Sequence, residues 1–373
     1  MKSILMSAIL LSCLVFSALA VPQRQGFIQV AGPNLRARMD AALLQGRAGN
    51  GRFWTAWQFE VRPGVAVDYE WQGRGSSVSV SDGTSISFDR NVETRNLGVF
   101  ALHENNAVVR LEVYNLDRQR EYSGYPVYWL GRASNDESLT FLKGLAEAQN
   151  DAKTGERAVM AIALHDDQRI GGMLRQFVHD SKARRGRSSA VFWLGQIGGE
   201  QQFLSDLARN EQEETEVRKQ AVFAIGVSKD SSALAALQNL YQSVTAREVK
   251  KQIVFAASIN ENQNDAVTWL ISLATSERDS DVKKQAIFWL GQKAGERSLK
   301  FLGDTANSSD ADTEVQKQAV FAISQRPKDE AVPLLISIAR THAKAAVRKQ
   351  AIFWLGQSGD ERAVAFFKEL LSQ

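Results

Sequence analysis

Residues Lys284–Gln292 read KQAIFWLGQ, and residues Lys349–Gln357 read the same letters again. This phrase belongs to a unit that recurs along the chain in steps of 31 to 33 residues. Aligned on the alanine of the phrase, the copies place one residue each, here called the anchors, at Pro126, Ala158, Ala190, Ala221, Ile253, Ala286, Ala319 and Ala351. Repeats of about this length are typical of solenoids, in which each unit packs only against its neighbours.

Each well-formed copy carries an apolar stripe around its anchor. For example, Val282 lies four residues before Ala286 and Leu290 lies four residues after it. Apolar residues at i, i+4, i+7 and i+8 share one face of an α-helix. A glycine ends most stripes, as a helix stop often does, and a second helical pattern follows, for example from Ala331 to Arg340. The sequence therefore predicts a mainly α fold, an α-solenoid of about eight helical pairs over residues 121–373.

The segment Asp281–Ala286 (DVKKQA) followed by Trp289–Gly291 (WLG) resembles the bacterial HEAT-like repeat of the PBS-lyase type. The pattern of that family reads roughly D-x-x-V-R-x-x-A-x-x-A-L-G. The resemblance covers about residues 121–373, and it implies a solenoid in which the second helix of each pair lines the concave surface. Repeats of this kind serve scaffolds, adaptors and a few enzymes, so the resemblance predicts the fold more sharply than the function.

Residues 1–20 are predicted to be a secretory signal peptide. Lys2 supplies a positive charge, Ile4 to Phe16 supply an apolar segment, and Ala18-Leu19-Ala20 is a small-residue cleavage motif. The apolar segment is too short for a comfortable membrane span, and no later segment approaches the length of a transmembrane helix. We therefore expect export to the periplasm or the extracellular space, with no transmembrane segment in the mature chain.

Composition narrows the classes of function. The chain has 45 Lys and Arg against 42 Asp and Glu, a net charge of +3, which gives no nucleic-acid signal. Its one cysteine, Cys13, lies in the predicted signal peptide. The residues before Cys13 resemble a lipoprotein box, but the apolar run continues past it to the better cleavage motif. The mature chain is thus expected to lack disulfides and thiolate metal sites.

Residues 21–120 lack the repeat and are predicted to form a small antiparallel β-rich domain with one helix. Asn34 can cap a helix from Leu35 to about Gln45, and short alternating runs follow, separated by turn residues such as Asp82-Gly83. The simplest role of this segment is to cover the end of the first repeat, which would otherwise expose apolar side chains.

Two features of the β-rich segment have alternative interpretations. Ser77 to Phe88 alternates serine with apolar residues, and is either a half-buried hairpin or an edge to which a partner adds a strand. Trp54, Trp57 and Trp71 are either core residues or a carbohydrate-binding platform. We expect core residues, because a domain of this size needs large side chains to build its interior.

The face of the repeat helix opposite the core carries a recurring pattern. Counting the valine as position zero, position two is lysine and position six is phenylalanine in the last five units. Tyr128 and Phe192 take the aromatic place in the first and third units. In the family that the repeat resembles, position six is variable and polar, so the recurring ring needs a cause. The predicted partner-binding set is Lys219, Phe223, Lys251, Phe255, Lys284, Phe288, Lys317, Phe321, Lys349 and Phe353.

This set has two interpretations. In the first, it is a concave ladder of rings interleaved with lysines, with rungs about 10 Å apart as in packed helices. Such a ladder suits an extended or helical partner with acidic and apolar groups. In the second, each ring leans into the groove between adjacent helices and is mostly buried, and the lysines form a solvated face.

Two further rows are expected to be structural. The basic residues at position one should bond between repeats, as the resembled family implies; they are Arg187, Arg218, Lys250, Lys283 and Arg348. The glutamines at position three could donate and accept hydrogen bonds along a ladder of their own; they are Gln220, Gln252, Gln285, Gln318 and Gln350.

Motifs for catalysis are weak. No zinc-protease motif and no Gly-rich phosphate loop occurs. The HEAT-like deoxyhypusine hydroxylases carry several His-Glu pairs for a di-iron site, whereas this chain has His103-Glu104 alone, outside the repeats. His165-Asp166-Asp167 is interpreted as a solvated helix cap rather than a metal site. We therefore expect no cofactor and no metal.

These observations favour a non-enzymatic scaffold or adaptor of the cell envelope that binds another protein or a peptide through the concave face of the solenoid. The alternative is an enzyme or enzyme subunit of the HEAT-like lyase or hydroxylase type, with its site at the junction of the β-rich domain and the solenoid. A cluster of His, Asp and Glu in a pocket at that junction would favour the enzyme.

The signal-peptide interpretation predicts cleavage between Ala20 and Val21. N-terminal sequencing of the exported form should therefore begin at Val21, because the Ala-Leu-Ala motif follows the apolar segment directly. A mature chain that begins at a lipidated Cys13 would contradict this prediction.

Overall fold

The computed structural model describes residues 26–49, 51–67, 76–79, 85–88, 95–118, 120–148, 152–180 and 184–372. The predicted signal peptide with Cys13, and Trp71, lie outside the described residues. Within the described ranges the chain is mainly helical. Of its sixteen α-helices, one lies among the strands of the N-terminal part and fifteen follow them. None of the described helices is both long enough and apolar enough to cross a membrane.

The helices follow one another along the chain with short connections. Their bounds are α1 Leu35–Arg47, α2 Asn135–Glu147, α3 Ala152–Ala163, α4 Ile170–Asp180, α5 Arg184–Ile197, α6 Gln201–Arg209, α7 Thr215–Gly226, α8 Ala233–Ser243, α9 Arg247–Ile259, α10 Gln263–Ser276, α11 Ser280–Gly291, α12 Glu296–Asn307, α13 Thr313–Ser324, α14 Lys328–Thr341, α15 Ala345–Ser358 and α16 Glu361–Leu371. The helix at Leu35 is capped by the side chain of Asn34 as predicted.

From α2 onwards the helices alternate between two layers. The odd-numbered helices α3 to α15 carry the anchors, and each packs against the next odd-numbered helix; we call them the anchor layer. The even-numbered helices α2 to α16 form the outer layer, and each packs against its neighbours along the chain. The predicted solenoid arrangement of paired helices is therefore present.

The first predicted unit is wrong. Val127–Arg132, which follow the anchor Pro126, form a strand, β8, rather than a helix. Val127 and Trp129 are buried in one apolar cluster, whereas Tyr128 and Leu130 are buried in another. A strand with both faces covered shows a continuous apolar run, which a helical stripe also fits. Seven of the eight anchors thus lie on helices, and the sheet extends past the boundary predicted near residue 120.

The main sheet has five strands in the order β1-β8-β2-β6-β7. Their bounds are β1 Phe27–Gln29, β2 Arg52–Gln58, β6 Leu97–Glu104, β7 Ala107–Asn115 and β8 Val127–Arg132. The predicted antiparallel pairing holds for β2, β6 and β7, but β8 runs parallel to β1 and β2. The sheet is therefore mixed, because β8 lies between β1 and β2 and runs parallel to both.

A second, three-stranded sheet contains β3 Val65–Val67, β4 Ser76–Ser79 and β5 Ser85–Phe88, in the order β3-β5-β4. The strands β4 and β5 pair antiparallel, as the alternating serines predict. The residues between them, with the predicted Asp82-Gly83 turn, lie outside the described residues. Whether this hairpin accepts a partner strand stays a prediction.

One face of the five-stranded sheet shares its core with the solenoid. Trp57 on β2 and Leu142 on α2 belong to the same buried cluster as the anchors of the later repeats. Trp54 points to the other face and is buried in a smaller cluster, so Trp54 and Trp57 are core residues as predicted. A backbone hydrogen bond also connects the two parts, because the Asp166 N–H donates to the Glu60 carbonyl at 2.9 Å. The sheet therefore covers the first end of the helical array.

Three stripe glycines let successive anchor helices come into contact. A Cβ atom at Gly195 would lie 2.4 Å from the carbonyl oxygen of Ala224, and one at Gly226 would lie 2.9 Å from the Cα of Ala256. At Gly291 the oxygen of Ala322 would be 2.7 Å away. These glycines were predicted as helix stops, but they also remove the side chain at the point of closest approach between repeats.

Gly356 occupies the same position on α15, yet nothing lies within 4 Å of a Cβ built there. Gly291→Ala should therefore destabilise the protein by about 1–3 kcal/mol through overpacking. Gly356→Ala should stabilise it by up to about 1 kcal/mol, because alanine is the better helix former. Urea denaturation of both variants, at unchanged m-value, measures the difference. Equal shifts for the two variants would contradict the close packing at Gly291.

Candidate functional site

The phenylalanines at position six form one connected row across the anchor layer. Adjacent rings stack with centroids 6.5 Å apart for Phe192 and Phe223, 6.2 Å for Phe223 and Phe255, and 6.0 Å for Phe288 and Phe321. These spacings are shorter than the predicted 10 Å, because the rings lean towards each other while the helix axes stay further apart.

Two tryptophans at position seven close the gaps in this row. Trp289 lies between Phe255 and Phe288, with ring centroids 4.9 and 4.8 Å away. Trp354 lies between Phe321 and Phe353, at 5.0 Å from each. We call the whole series the ring ladder: Phe192, Phe223, Phe255, Trp289, Phe288, Phe321, Trp354 and Phe353. It crosses the six helices from α5 to α15.

The ring ladder is half-buried. It therefore has a feature of each interpretation, since the rings pack between adjacent helices and also keep accessible surface. Each phenylalanine from Phe192 to Phe321 keeps part of its surface accessible, and Phe353 at the end is 53% exposed. Trp289 and Trp354, predicted as core, are likewise only partly buried. Tyr128, the aromatic residue of the first predicted unit, is buried on strand β8 and is not part of the ladder. One edge of each ring stabilises the packing between repeats, and the other edge remains available.

The lysines at position two divide into paired and unpaired groups. Lys219, Lys251 and Lys317 form ion pairs with the glutamate three residues earlier, at 3.0, 3.3 and 3.0 Å. Lys284 and Lys349 make no ion pair with any residue that the structure describes. The positive charge of the predicted site is thus least compensated on α11 and α15.

Three of the five basic residues at position one make structural bonds, as predicted. Arg218 is buried and donates from Nε to the carbonyl of Ala208 at 2.9 Å. Arg187 donates to the Val178 carbonyl at 2.6 Å and pairs with Glu213 of the next repeat. Arg348 donates to the His342 carbonyl at 2.7 Å. These bonds fasten helices to each other rather than facing a partner.

The glutamines at position three do not form the predicted ladder. Within the described part of the chain, the side chains of Gln220, Gln252, Gln285, Gln318 and Gln350 make no hydrogen bond with one another or with other residues. All of them are half-buried beside the rings. Leaning rings, rather than amide bonds, join the neighbouring helices here.

The junction of the sheet and the solenoid contains a buried histidine. His165 is 2% exposed, so its interpretation as part of a solvated cap is wrong. Its Nδ1 lies 2.7 Å from the Ala161 carbonyl and its Nε2 lies 2.8 Å from Ser138 Oγ, which also accepts from the Trp57 indole at 2.9 Å. The ring of Phe59 stacks on the imidazole at 4.2 Å. Burial lowers the pKa of His165 to about 4.

The Ser138–His165 pair has the spacing of a nucleophile and its base, but neither residue is accessible, since Ser138 is fully buried. A groove of about 760 Å³ between α1 and α2 lies nearby and contains the carboxylates of Asp40, Asp136 and Glu137. Glu137 accepts from the backbone N–H of Leu35 at 2.7 Å, which with the Ser134 N–H lowers its pKa. Among the described residues, no group of three or more His, Cys, Asp and Glu could hold a metal ion. Trp57, Ser138 and His165 form a buried hydrogen-bonded network at this junction.

Comparison with known proteins identifies the repeats. Residues 202–291 and 299–373 match the family model of HEAT repeats, so the chain contains HEAT-like repeats. No curated protein matches. Solved structures with similar chains include human deoxyhypusine hydroxylase in complex with glycerol, at 17% identity, covering 63% of this chain and 90% of that one, with a TM-score of 0.31.

Two further solved structures illustrate the range of similar chains. Kap121p bound to Pho4p is 12% identical, covering 64% of this chain and 36% of that one, with a TM-score of 0.33. An engineered protein is 18% identical, covering 63% of this chain and 77% of that one, with a TM-score of 0.28. At these TM-scores the likenesses carry no argument about activity.

The buried histidines predict a pH dependence of stability. Burial also lowers the pKa of His103 to about 4, and its Nε2 lies 2.8 Å from Thr55 Oγ1. Both folded pKa values lie below the ordinary value of 6.5. The unfolded chain therefore binds more protons in this window, and stability present above pH 6.5 is lost as the pH falls towards 4.

The variant His165→Gln should flatten the slope of unfolding free energy against pH by up to about 1.4 kcal/mol per pH unit between pH 6.5 and 4.5, the limit for one proton. His103→Gln combined with it should flatten the slope further, because the two sites lie in separate parts of the structure. Urea denaturation across this pH range measures the slopes. An unchanged slope in the double variant would contradict the buried neutral state of both residues.

Proposed function

We propose that this HEAT-repeat chain is an exported, non-enzymatic scaffold or adaptor of the cell envelope, which binds another protein through the surface of the ring ladder. The observation that carries the proposal is the connected row of half-buried aromatic rings across six helices. Folding alone would be served by closing this surface with aliphatic side chains, as the core side of the same helices does. The resemblance of Asp281–Gly291 to the bacterial PBS-lyase type of repeat, and the N-terminal signal motif, support the origin and the location.

The packing of the two layers supports a concave position for the ladder. Successive anchor helices lie closer together than successive outer-layer helices. Glycine-alanine contacts such as Gly291 with Ala322 permit the short separation on the anchor side. A stack of units that is narrower on one side curves towards that side, so the anchor layer, with its rings, would line the inner surface.

The energetics of such a surface suit a protein partner. Aromatic residues are the commonest anchors of protein interfaces, particularly where their surroundings are already packed. Burying the exposed half of Phe353 gives roughly 1 kcal/mol, and each less exposed ring of the ladder gives less. Several rings in a row therefore supply a useful binding energy, and the unpaired Lys284 and Lys349 would add attraction for acidic groups.

The enzyme alternative would have its site at the junction, where the Ser138–His165 pair is buried. The groove between α1 and α2 carries three carboxylates, but Asp40 is paired with Arg36, Asp136 is paired with Arg169, and Glu137 caps α2. We therefore place the function on the ladder surface.

Substitution at the exposed end of the ladder tests the proposal with little effect on folding. Phe353→Ser combined with Lys284→Gln and Lys349→Gln should abolish capture of the partner from envelope extracts, because it removes the most exposed ring and the two unpaired charges. The lysine changes alone should weaken capture chiefly at low salt, where exposed charges are least screened. Quantitative mass spectrometry of proteins bound to the immobilised mature chain is the measurement.

The matched control is Lys143→Gln combined with Lys300→Gln, which removes two exposed lysines from the outer-layer helices α2 and α12. Thermal unfolding of all variants must stay within a few degrees of the wild type. Capture that survives the ladder changes but is lost in the control would place the binding surface on the outer layer.

A further inference from the structure

The glutamine row beside the ring ladder has unused hydrogen-bonding capacity. Each glutamine amide can donate two hydrogen bonds and accept two, yet the five side chains at position three make none within the described residues. The Oε1 atom of Gln220 is fully buried and still has no partner. Buried polar groups normally have one, because an unpaired group costs about 1–3 kcal/mol. The other four glutamines are half-buried, so from α7 to α15 each anchor helix carries one amide that makes no bond within the described protein.

The ladder and the row together indicate the conformation of the partner. We propose that the surface of α11, α13 and α15 binds a short acidic polypeptide segment in an extended conformation, whose backbone is hydrogen-bonded by Gln285, Gln318 and Gln350. This inference rests on the proposed function and specifies its ligand. A helical segment has already paired its backbone groups internally. An extended segment has free backbone groups, so its N–H can donate to Oε1 of a glutamine and its C=O can accept from Nε2.

The spacing of the rings fits an extended chain. Alternate residues of a strand lie about 6.6 Å apart and point to the same side. Within the proposed surface, the stacked rings of Phe288 and Phe321 are 6.0 Å apart, and the ring of Trp354 lies 5.0 Å from that of Phe321. Alternate apolar side chains of the segment would therefore lie over successive rings.

Charge decides which part of the row is used. On α7, α9 and α13 the lysines are paired with Glu216, Glu248 and Glu314. On α11 and α15, Lys284 and Lys349 have no acidic partner among the described residues, and Phe353 is the most exposed ring. Acidic side chains between the apolar ones would neutralise these two lysines. The segment would thus alternate acidic and apolar residues.

The experiment uses the full mature chain and defined fluorescent peptides. The probe is the heptapeptide Asp-Phe-Asp-Phe-Asp-Phe-Asp, compared with the same peptide carrying Lys for Asp and with a form N-methylated at alternate backbone amides. Fluorescence anisotropy gives the dissociation constants. The lysine peptide should bind at least about tenfold more weakly, because it opposes Lys284 and Lys349. N-methylation should weaken binding by roughly three- to tenfold for each backbone bond lost.

A triple variant tests the glutamines, Gln285→Leu with Gln318→Leu and Gln350→Leu. It should bind the unmodified peptide about tenfold more weakly, and N-methylation should then have little further effect, since both changes remove the same bonds. The matched control replaces Gln176, Gln238 and Gln242 of the outer-layer helices α4 and α8 by leucine, and should bind as the wild type does.

Two outcomes overturn the inference. In the first, N-methylation weakens binding equally in the wild type and in the triple variant, which shows that the glutamines do not contact the backbone. In the second, none of the peptides binds while the ladder substitution Phe353→Ser with its lysine changes still abolishes capture of the natural partner. The second outcome leaves the proposed function intact. The proposed function itself would be contradicted if the ladder substitution left capture of the natural partner unchanged.

Discussion

The close contact between successive anchor helices is the constraint on which the rest of this structure depends. A glycine of one helix lies against an alanine of the next, as Gly226 does against Ala256, so that neither side chain holds the helices apart. This short separation lets the rings at position six reach each other across the gap, at 6.0–6.5 Å between stacked centroids. The outer layer has wider spacing, and the difference between the layers supports curvature towards the rings.

The first and the last described repeats differ in what covers them. At the first end the five-stranded sheet covers the repeats, with Trp57 packed into their core and its indole bonded to Ser138. At the last described repeat, Gly356 has no neighbour within 4 Å of a Cβ atom and Phe353 is 53% exposed. The ladder is therefore most accessible on α15. The unpaired Lys349 lies on the same helix, so apolar and positive surface coincide there.

The sequence was sufficient to predict the repeated helices, because a 32-residue rhythm with an apolar stripe admits few other folds. It was insufficient at Pro126, where the apolar run fits a strand buried on both faces as well as a helical stripe. The sequence was also insufficient to predict how exposed the rings are. Position six faces away from the core on a helical wheel, but the distance to the next helix decides whether a ring leans into the groove. His165 became a core residue because the sheet, whose placement no local pattern reveals, covers it.

Site-specific photo-crosslinking in the native cell tests the central claim most directly, namely that the ladder surface is where the partner lies. Benzoylphenylalanine in place of Phe353 preserves the aromatic character of an already exposed position, and the same group in place of Gln238 on the outer layer provides the comparison. The account predicts a discrete crosslinked species from position 353, absent from position 238 and lost when Lys284 and Lys349 are replaced by glutamate. Crosslinks from position 238 alone would contradict it.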